Sequence, residues 1–270
     1  MILNNIANKS IFSSVGTLIK EEDIEKCIQY VIYNREFISK FPHIIYSFNG
    51  NKELVDITEK EVHKIFPNSN VEFLFSENLG HTFGIFLSEY MIYERSKQLV
   101  QYDYIWKFSN DTIVTPEIFN VVVEPSDFYY INNIGYNGII NTNVDDLFQS
   151  IINKTYFYPQ TNYYIIKNGI DFIPNKDKIY ELYKYYNDRD DKNLKPWEYI
   201  QECACEEFLI KTVNSKNLKC CMLLNESEVK TIINIVNQYR MWDGSHKNIS
   251  YSRLGNLCHF HWSEQETLSI

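Results

Sequence analysis

Apolar residues along this chain recur in two alternating periods. Over residues 21–40, Ile24, Cys27, Ile28, Val31, Ile32 and Phe37 fall near helical spacing with Glu and Lys between them, which predicts an amphipathic helix. Residues 43–48 (HIIYSF) form a continuous apolar run closed by Asn49-Gly50-Asn51, the pattern of a buried strand ending in a turn. A helix is predicted over 58–66, stopped by Pro67-Asn68, then a strand over Val71–Ser76 and a helix over 82–100. A third strand, 104–108, runs into Ser109-Asn110-Asp111-Thr112. Buried strands alternating with amphipathic helices predict an α/β fold with a largely parallel central sheet. In such sheets ligands bind beyond the carboxyl ends of the strands. Residues 49–51, 77–84 and 109–115 are therefore where chemistry is expected.

The second half is less regular. Residues 127–131 and 162–167 read as strands, and 143–152 and 176–186 as helices. Pro196 fits a first helical position and opens a helix through Trp197, Ile200, Ala204, Phe208, Leu209 and Val213. A strand over 219–224 and a helix over 226–239 follow. Residues 241–270, rich in Trp, His, Ser and Gly, read as a loop-rich tail folding back over the sheet. No internal repeat and no Gly/Ser-rich or Pro-rich linker divides the chain, so one domain is expected over 1–270.

Composition narrows the class. At 270 residues and 44% hydrophobic, the chain can bury a full core and is not a disordered segment. Its 26 Lys+Arg against 35 Asp+Glu give a net charge of −9, a field that does not attract nucleic-acid phosphates. No apolar run approaches the roughly 18–20 residues that span a bilayer, and the first residues lack a basic segment followed by an apolar one. A cytoplasmic protein is expected, at most peripheral to a membrane. The six cysteines (27, 203, 205, 220, 221 and 258) do not follow the C-x₂-C spacing of structural zinc, and buried, inert thiols are the expectation.

Four short segments, taken in order, carry a resemblance. They are IIYSFNGN; SENLGHTFGIFLSEYMIYE, with Asn78 and Gly80 in an N-x-G turn; YDYIWKFSNDTIVTPEIF; and the acidic pair Glu206-Glu207 before Phe208-Leu209, with CHFHW far downstream. Over residues 40–262 the chain resembles a nucleotide-sugar glycosyltransferase of the GT-A fold, family-2-like with a divergent D-x-D motif. The resemblance implies a Rossmann-like, mostly parallel sheet flanked by helices. It also implies a nucleotide-sugar-binding half over 40–125, a smaller acceptor-side half over 126–240 and a tail closing over the site.

The resemblance assigns roles residue by residue. Asp111 matches the last Asp of D-x-D, the family's principal ligand for a divalent cation, Mn²⁺ or Mg²⁺. His259 or His261 would be the distant ligand that completes the shell. Ser109 replaces the first acid, and a single carboxylate lowers metal affinity. Ser47, Asn49, Asn78, Gly80, Ser109 and Asn110 fall where donor contacts are made. Glu207 or Glu206 would take the acceptor proton in a direct, inverting displacement. The implied partners are a UDP- or GDP-linked sugar donor and a hydroxyl acceptor on a glycan, lipid-linked saccharide or protein. Trp197 and Trp242 either stack on an acceptor sugar or pack internally. Two alternatives stand beside this reading. One is a retaining transferase, for which Lys195-Pro196-Trp197 is a partial motif; the other is a catalytically silent sugar- or nucleotide-binding module, favoured by Ser109.

Overall fold

The sheet begins with a segment that hydrophobic periodicity does not single out. Residues Ser10–Leu18 (β1) read S-I-F-S-S-V-G-T-L, and serines dilute the apolar alternation. Ser10, Ser13 and Ser14 are nevertheless fully buried. The Ser10 hydroxyl donates to the carbonyl of Ile6 at 2.6 Å, in the short helix α1 (Leu3–Ala7), and the Ser13 hydroxyl to that of Trp106 at 3.1 Å. Hydroxyls that find carbonyl partners are buried at little cost, so a serine-rich strand can lie deep in a sheet. The structure is a computed structural model that describes residues 1–109, 112–114, 116–132, 144–153, 157, 159–189, 205–230 and 257–259.

On one side of β1 lie β2 (His43–Gly50) and then β3 (Val71–Ser76); on the other lies β4 (Tyr104–Ser109), all four parallel. After a short β5 (Thr112–Val114), β6 (Phe128–Asn132), β7 (Pro159–Lys167) and β8 (Cys220–Met222) complete a seven-stranded sheet. Its order is β3-β2-β1-β4-β7-β6-β8, with β7 antiparallel to both neighbours and the other strands running one way. This is the predicted α/β, Rossmann-like, mostly parallel sheet, with one correction. The strand at 43–48 is the second strand, and the first lies upstream of the segment that carries the family resemblance. A separate two-stranded ribbon pairs β5 with β9 (Leu257–His259).

Helices cover both faces. Helices α2 (Glu21–Tyr33), α3 (Arg35–Ile38), α4 (Lys52–Ile65) and α6 (Val144–Ile152) pack with Phe12, Tyr46, Phe108 and Tyr163. The opposite face, with Ile11, Val15, Ile45 and Ile105, is covered by α5 (Gly80–Ser96) and α8 (Cys205–Lys216), and α7 (Lys176–Asp188) packs on α5. Much of this core is aromatic. Trp106, Tyr46, Phe12, Phe37 and Phe108 are all under 2% exposed, and Phe41 meets Trp106 edge-on at 5.0 Å.

Element boundaries depart from the periodicity where a polar side chain intervenes. The helix predicted over 21–40 breaks at Asn34, a buried residue between α2 and α3. Helix α4 starts at Lys52 rather than 58 because the Asn51 side chain accepts the Glu53 N–H at 2.9 Å, an N-cap. The expected Asn49-Gly50-Asn51 turn is displaced, since β2 continues to Gly50. There φ is +122°, and a Cβ would sit 2.1 Å from the Leu18 carbonyl oxygen, so the position requires glycine. Helix α5 ends at Ser96 rather than 100, and the helix implied behind the third strand is a single 3₁₀ turn, Pro116–Asn120. Burial pushes the Cys27 thiol up to about 12, as an inert core cysteine, but Cys220 and Cys221 on β8 are only half-buried. Among the described residues, no helix is long and apolar enough to cross a membrane. Residues 190–204 and 231–256 lie outside the described residues, with Trp197, Trp242 and the predicted opening of a helix at Pro196.

Candidate functional site

Strand order locates the site. From β1 the chain steps outward to β2 and β3, then returns to place β4 on the other side of β1. The order therefore reverses between β1 and β4, and in open α/β sheets ligands occupy the crevice at such a switch point, beyond the carboxyl ends of the strands. Here that crevice is bounded by the end of β1 and by Ser109, which pairs in register with Val15. Across the neighbouring strands, Thr17, Asn49 and Ser76 form one row, each in register with the next. Helix α5 covers that row. The Ser76 and Ser88 hydroxyls lie 3.1 Å apart, and Asn49 packs so closely on Gly84 that a Cβ there would meet its side chain at 2.6 Å.

The structure brings several predicted site residues to this end of the sheet. Asn78 and Gly80 form the entry to α5: the Asn78 side chain accepts the Gly80 N–H at 2.9 Å, and Gly80 takes φ +77°. Asn49 is not on an exposed turn but fully buried in β2. Its amide nitrogen donates to the Gly16 carbonyl at 3.1 Å, while its Oδ1 and the Thr17 hydroxyl find no partner among the described residues. Ser47 lies further back on the same strand, also fully buried. Ser109 ends β4, half-buried. Asn110 and Asp111 lie outside the described residues, as does His261.

The backbone of β5 is held from two directions. The Asn34 side chain, which ends α2 by donating to the Tyr30 carbonyl at 3.0 Å, also accepts the Val114 N–H of β5 at 2.8 Å. From the far end of the sequence, β9 pairs antiparallel with β5 and sets His259 opposite Thr112. The Ser-Asn-Asp segment is thus followed directly by a strand that a C-terminal histidine-bearing strand flanks. Among the described residues no group of three or more His, Cys, Asp or Glu could hold a metal ion.

No protein-family model matches this chain, and no curated protein matches it significantly. Among solved structures, the mannosyltransferase Ktr4p from S. cerevisiae matches at 12% identity with a TM-score of 0.36, over 72% of this chain and 62% of its own. The nucleoside-diphosphate-sugar pyrophosphorylase from Vibrio cholerae RC9 matches at 14% identity, TM-score 0.37, over 78% of this chain and 90% of its own. HddC from Yersinia pseudotuberculosis matches at 15% identity, TM-score 0.35, over 60% of this chain and 78% of its own. Likenesses this distant carry no inference about ligand or reaction.

Glu206 and Glu207 fall in the first turn of α8. The next residue, Phe208, meets Phe86 of α5 edge-on at 5.5 Å, and Phe86 clusters with Leu79 and Phe83 of the α5 entry. The first turn of α8 thus lies beside the N-terminal half of α5, at the switch-point end of the sheet. Carboxylates in a first helical turn also favour the helix through its dipole. Sequence reasoning missed Thr17, Asn34 and Arg189. The buried Arg189 places its guanidinium 3.6 Å from the centre of the Tyr186 ring, and Tyr186 packs on Phe83. The signal available was an Asn interrupting an amphipathic helix, for Asn34.

Proposed function

We propose that this chain is a nucleotide-sugar-dependent glycosyltransferase of the GT-A type, transferring a hexosyl group to a hydroxyl acceptor. The observation that supports the reading is that β4, whose last residue Ser109 begins the divergent D-x-D motif, ends at the switch point of the sheet, at the same end as the start of α5. Donor diphosphate would lie between Ser109 and the Asn78–Gly80 turn, where helix N–H groups favour anions. The acceptor oxygen would attack the anomeric carbon as the bond to the diphosphate breaks. Its proton passes to Glu207 or Glu206, the diphosphate leaves with the bonding electron pair, and the anomeric configuration inverts.

The donor set that the sequence offers suits a divalent cation. Asp111 would offer a carboxylate and His259 or His261 an imidazole nitrogen, an oxygen-and-nitrogen set that suits Mn²⁺, and the backbone pairing of His259 with Thr112 supports bringing the two segments together. Asp111 and one of these histidines would hold the ion, which supplies Lewis-acid neutralisation of the diphosphate's negative charge. The replacement of an acid by Ser109 also favours a second reading, a module that binds the donor without transfer.

Turnover of UDP- and GDP-sugars with simple glycan acceptors separates the two. Replacing the base by Glu207→Gln or Glu206→Gln is expected to lower turnover about 10²–10⁴-fold, while the other substitution leaves it largely unchanged. Nucleotide binding with no turnover of any donor would favour the silent module, and undiminished turnover in both variants would remove these carboxylates from catalysis.

A further inference from the structure

A lysine is buried beneath the carboxyl end of β4. Nζ of Lys107 lies 2.9 Å from Oε1 of Glu89 on α5, and the two side chains are 3% and 4% exposed. The same Nζ is 3.4 Å from Oγ of Ser109 and 5.7 Å from the centre of the Tyr164 ring. A buried ion pair seldom repays its desolvation, and apolar replacements are often neutral or better. Stability is therefore a poor reason for this pair. Its location is a better one. It ties β4, just before the Ser-Asn-Asp segment, to α5, the helix that starts at the Asn78–Gly80 turn.

Hydrogen-bond polarity gives the pair a direction. An ammonium has three donors and no acceptor, so in the contact between Lys107 and Ser109 the hydroxyl oxygen accepts and its hydrogen points away from Lys107. We propose that Lys107 is a positioning residue: it sets the Ser109 hydroxyl as a donor to an anionic oxygen of the nucleotide's diphosphate, where the resembled family carries a carboxylate. This inference rests on the nucleotide-sugar reading above. An ionised carboxylate at this position can only accept and repels a diphosphate unless a cation intervenes. A hydroxyl supported from below by an ammonium needs no such cation. A divalent ion at Asp111 then strengthens nucleotide binding instead of being required for it.

Calorimetric titration of UDP and GDP in EDTA tests this. The proteins compared are wild type, Ser109→Ala, the paired exchange Lys107→Met with Glu89→Met, which leaves no unpaired buried charge, and all three substitutions together. Wild type is expected to bind one of the nucleotides without metal. Ser109→Ala and the paired exchange are each expected to weaken that binding about tenfold, as for one lost hydrogen bond. The triple variant should lose no more than either, because both act through one hydroxyl. If the paired exchange does not fold, as thermal melting will report, Lys107→Met with Glu89→Gln takes its place beside Ser109→Ala. Wild-type affinity in Ser109→Ala, or losses that multiply in the triple variant, would overturn the role of Lys107. Binding by wild type only with Mn²⁺ would overturn it too, while leaving the functional reading in place. No nucleotide binding with or without Mn²⁺ would overturn both.

Discussion

His43 and its neighbours hold the amino ends of β2 and β3, opposite the candidate site. The His43 ring is buried, with the Asn70 amide nitrogen 2.6 Å from Nδ1 and the Glu72 carboxylate 3.1 Å from Nε2. Since the Asn70 amide donates, Nδ1 accepts, and the neutral ring carries its hydrogen on Nε2, beside Glu72 but without an aligned hydrogen bond to it. Burial holds the His43 pKa below its ordinary 6.5, against the opposing pull of Glu72. Hydrogen bonds from Arg95, at 2.6 and 2.7 Å, hold the Glu72 carboxyl below its ordinary 4.5. Both depressions act in one direction: their stabilisation is present above the unfolded-state pKa and is lost as pH falls toward the folded one. Melting temperature should therefore drop as pH falls below 6.5 and drop further below 4.5. His43→Gln, which cannot protonate, should flatten the first drop. A wild-type melting temperature unchanged from pH 8 to pH 5, or an equal drop in the variant, would contradict this.

At the scale of elements, the ribbon of β5 and β9 is the contact that joins the C-terminal segment to the candidate site, and Asn34 anchors its β5 side. Deleting residues 256–270 removes β9 but no strand of the main sheet. The truncated protein is expected to melt within a few degrees of the full chain and to keep its metal-free nucleotide affinity. It should no longer bind more tightly when Mn²⁺ is added. Titration with and without Mn²⁺ checks this, and an undiminished Mn²⁺ effect would place the cation elsewhere.

The same elements show what periodicity can read. Val71–Ser76 is predicted with its exact bounds because phenylalanines, Leu74 and Val71 leave little competing signal, and Lys176 begins α7 where the pattern says. β1 escapes because buried serines interrupt its apolar residues, and two of them, Ser10 and Ser13, donate to carbonyls of other segments. The break at Asn34 depends on a partner in β5, far away along the chain. Asn49 looks like a turn residue, and only the fit against Gly84 reveals that it is buried. The pairing of β9 with β5 is a long-range contact that no local pattern announces.

At the scale of the whole molecule, sheet order and motif order converge. The chain places the end of β4 across a switch point from the end of β1, sets the Asn78–Gly80 turn and the first turn of α8 at the same end, and pairs a histidine-bearing strand with the segment after Asp111. A donor site there requires that nucleotide binding respond to the carboxylate in the Ser-Asn-Asp segment. The most direct measurement is calorimetric titration of UDP and GDP, with and without Mn²⁺, into wild type and Asp111→Ala. Wild type should bind one nucleotide and bind it more tightly with Mn²⁺, and Asp111→Ala should lose the Mn²⁺ enhancement. A wild-type protein that binds neither nucleotide under either condition, or an Asp111→Ala variant that responds to Mn²⁺ as wild type does, would contradict a donor site at the end of β4.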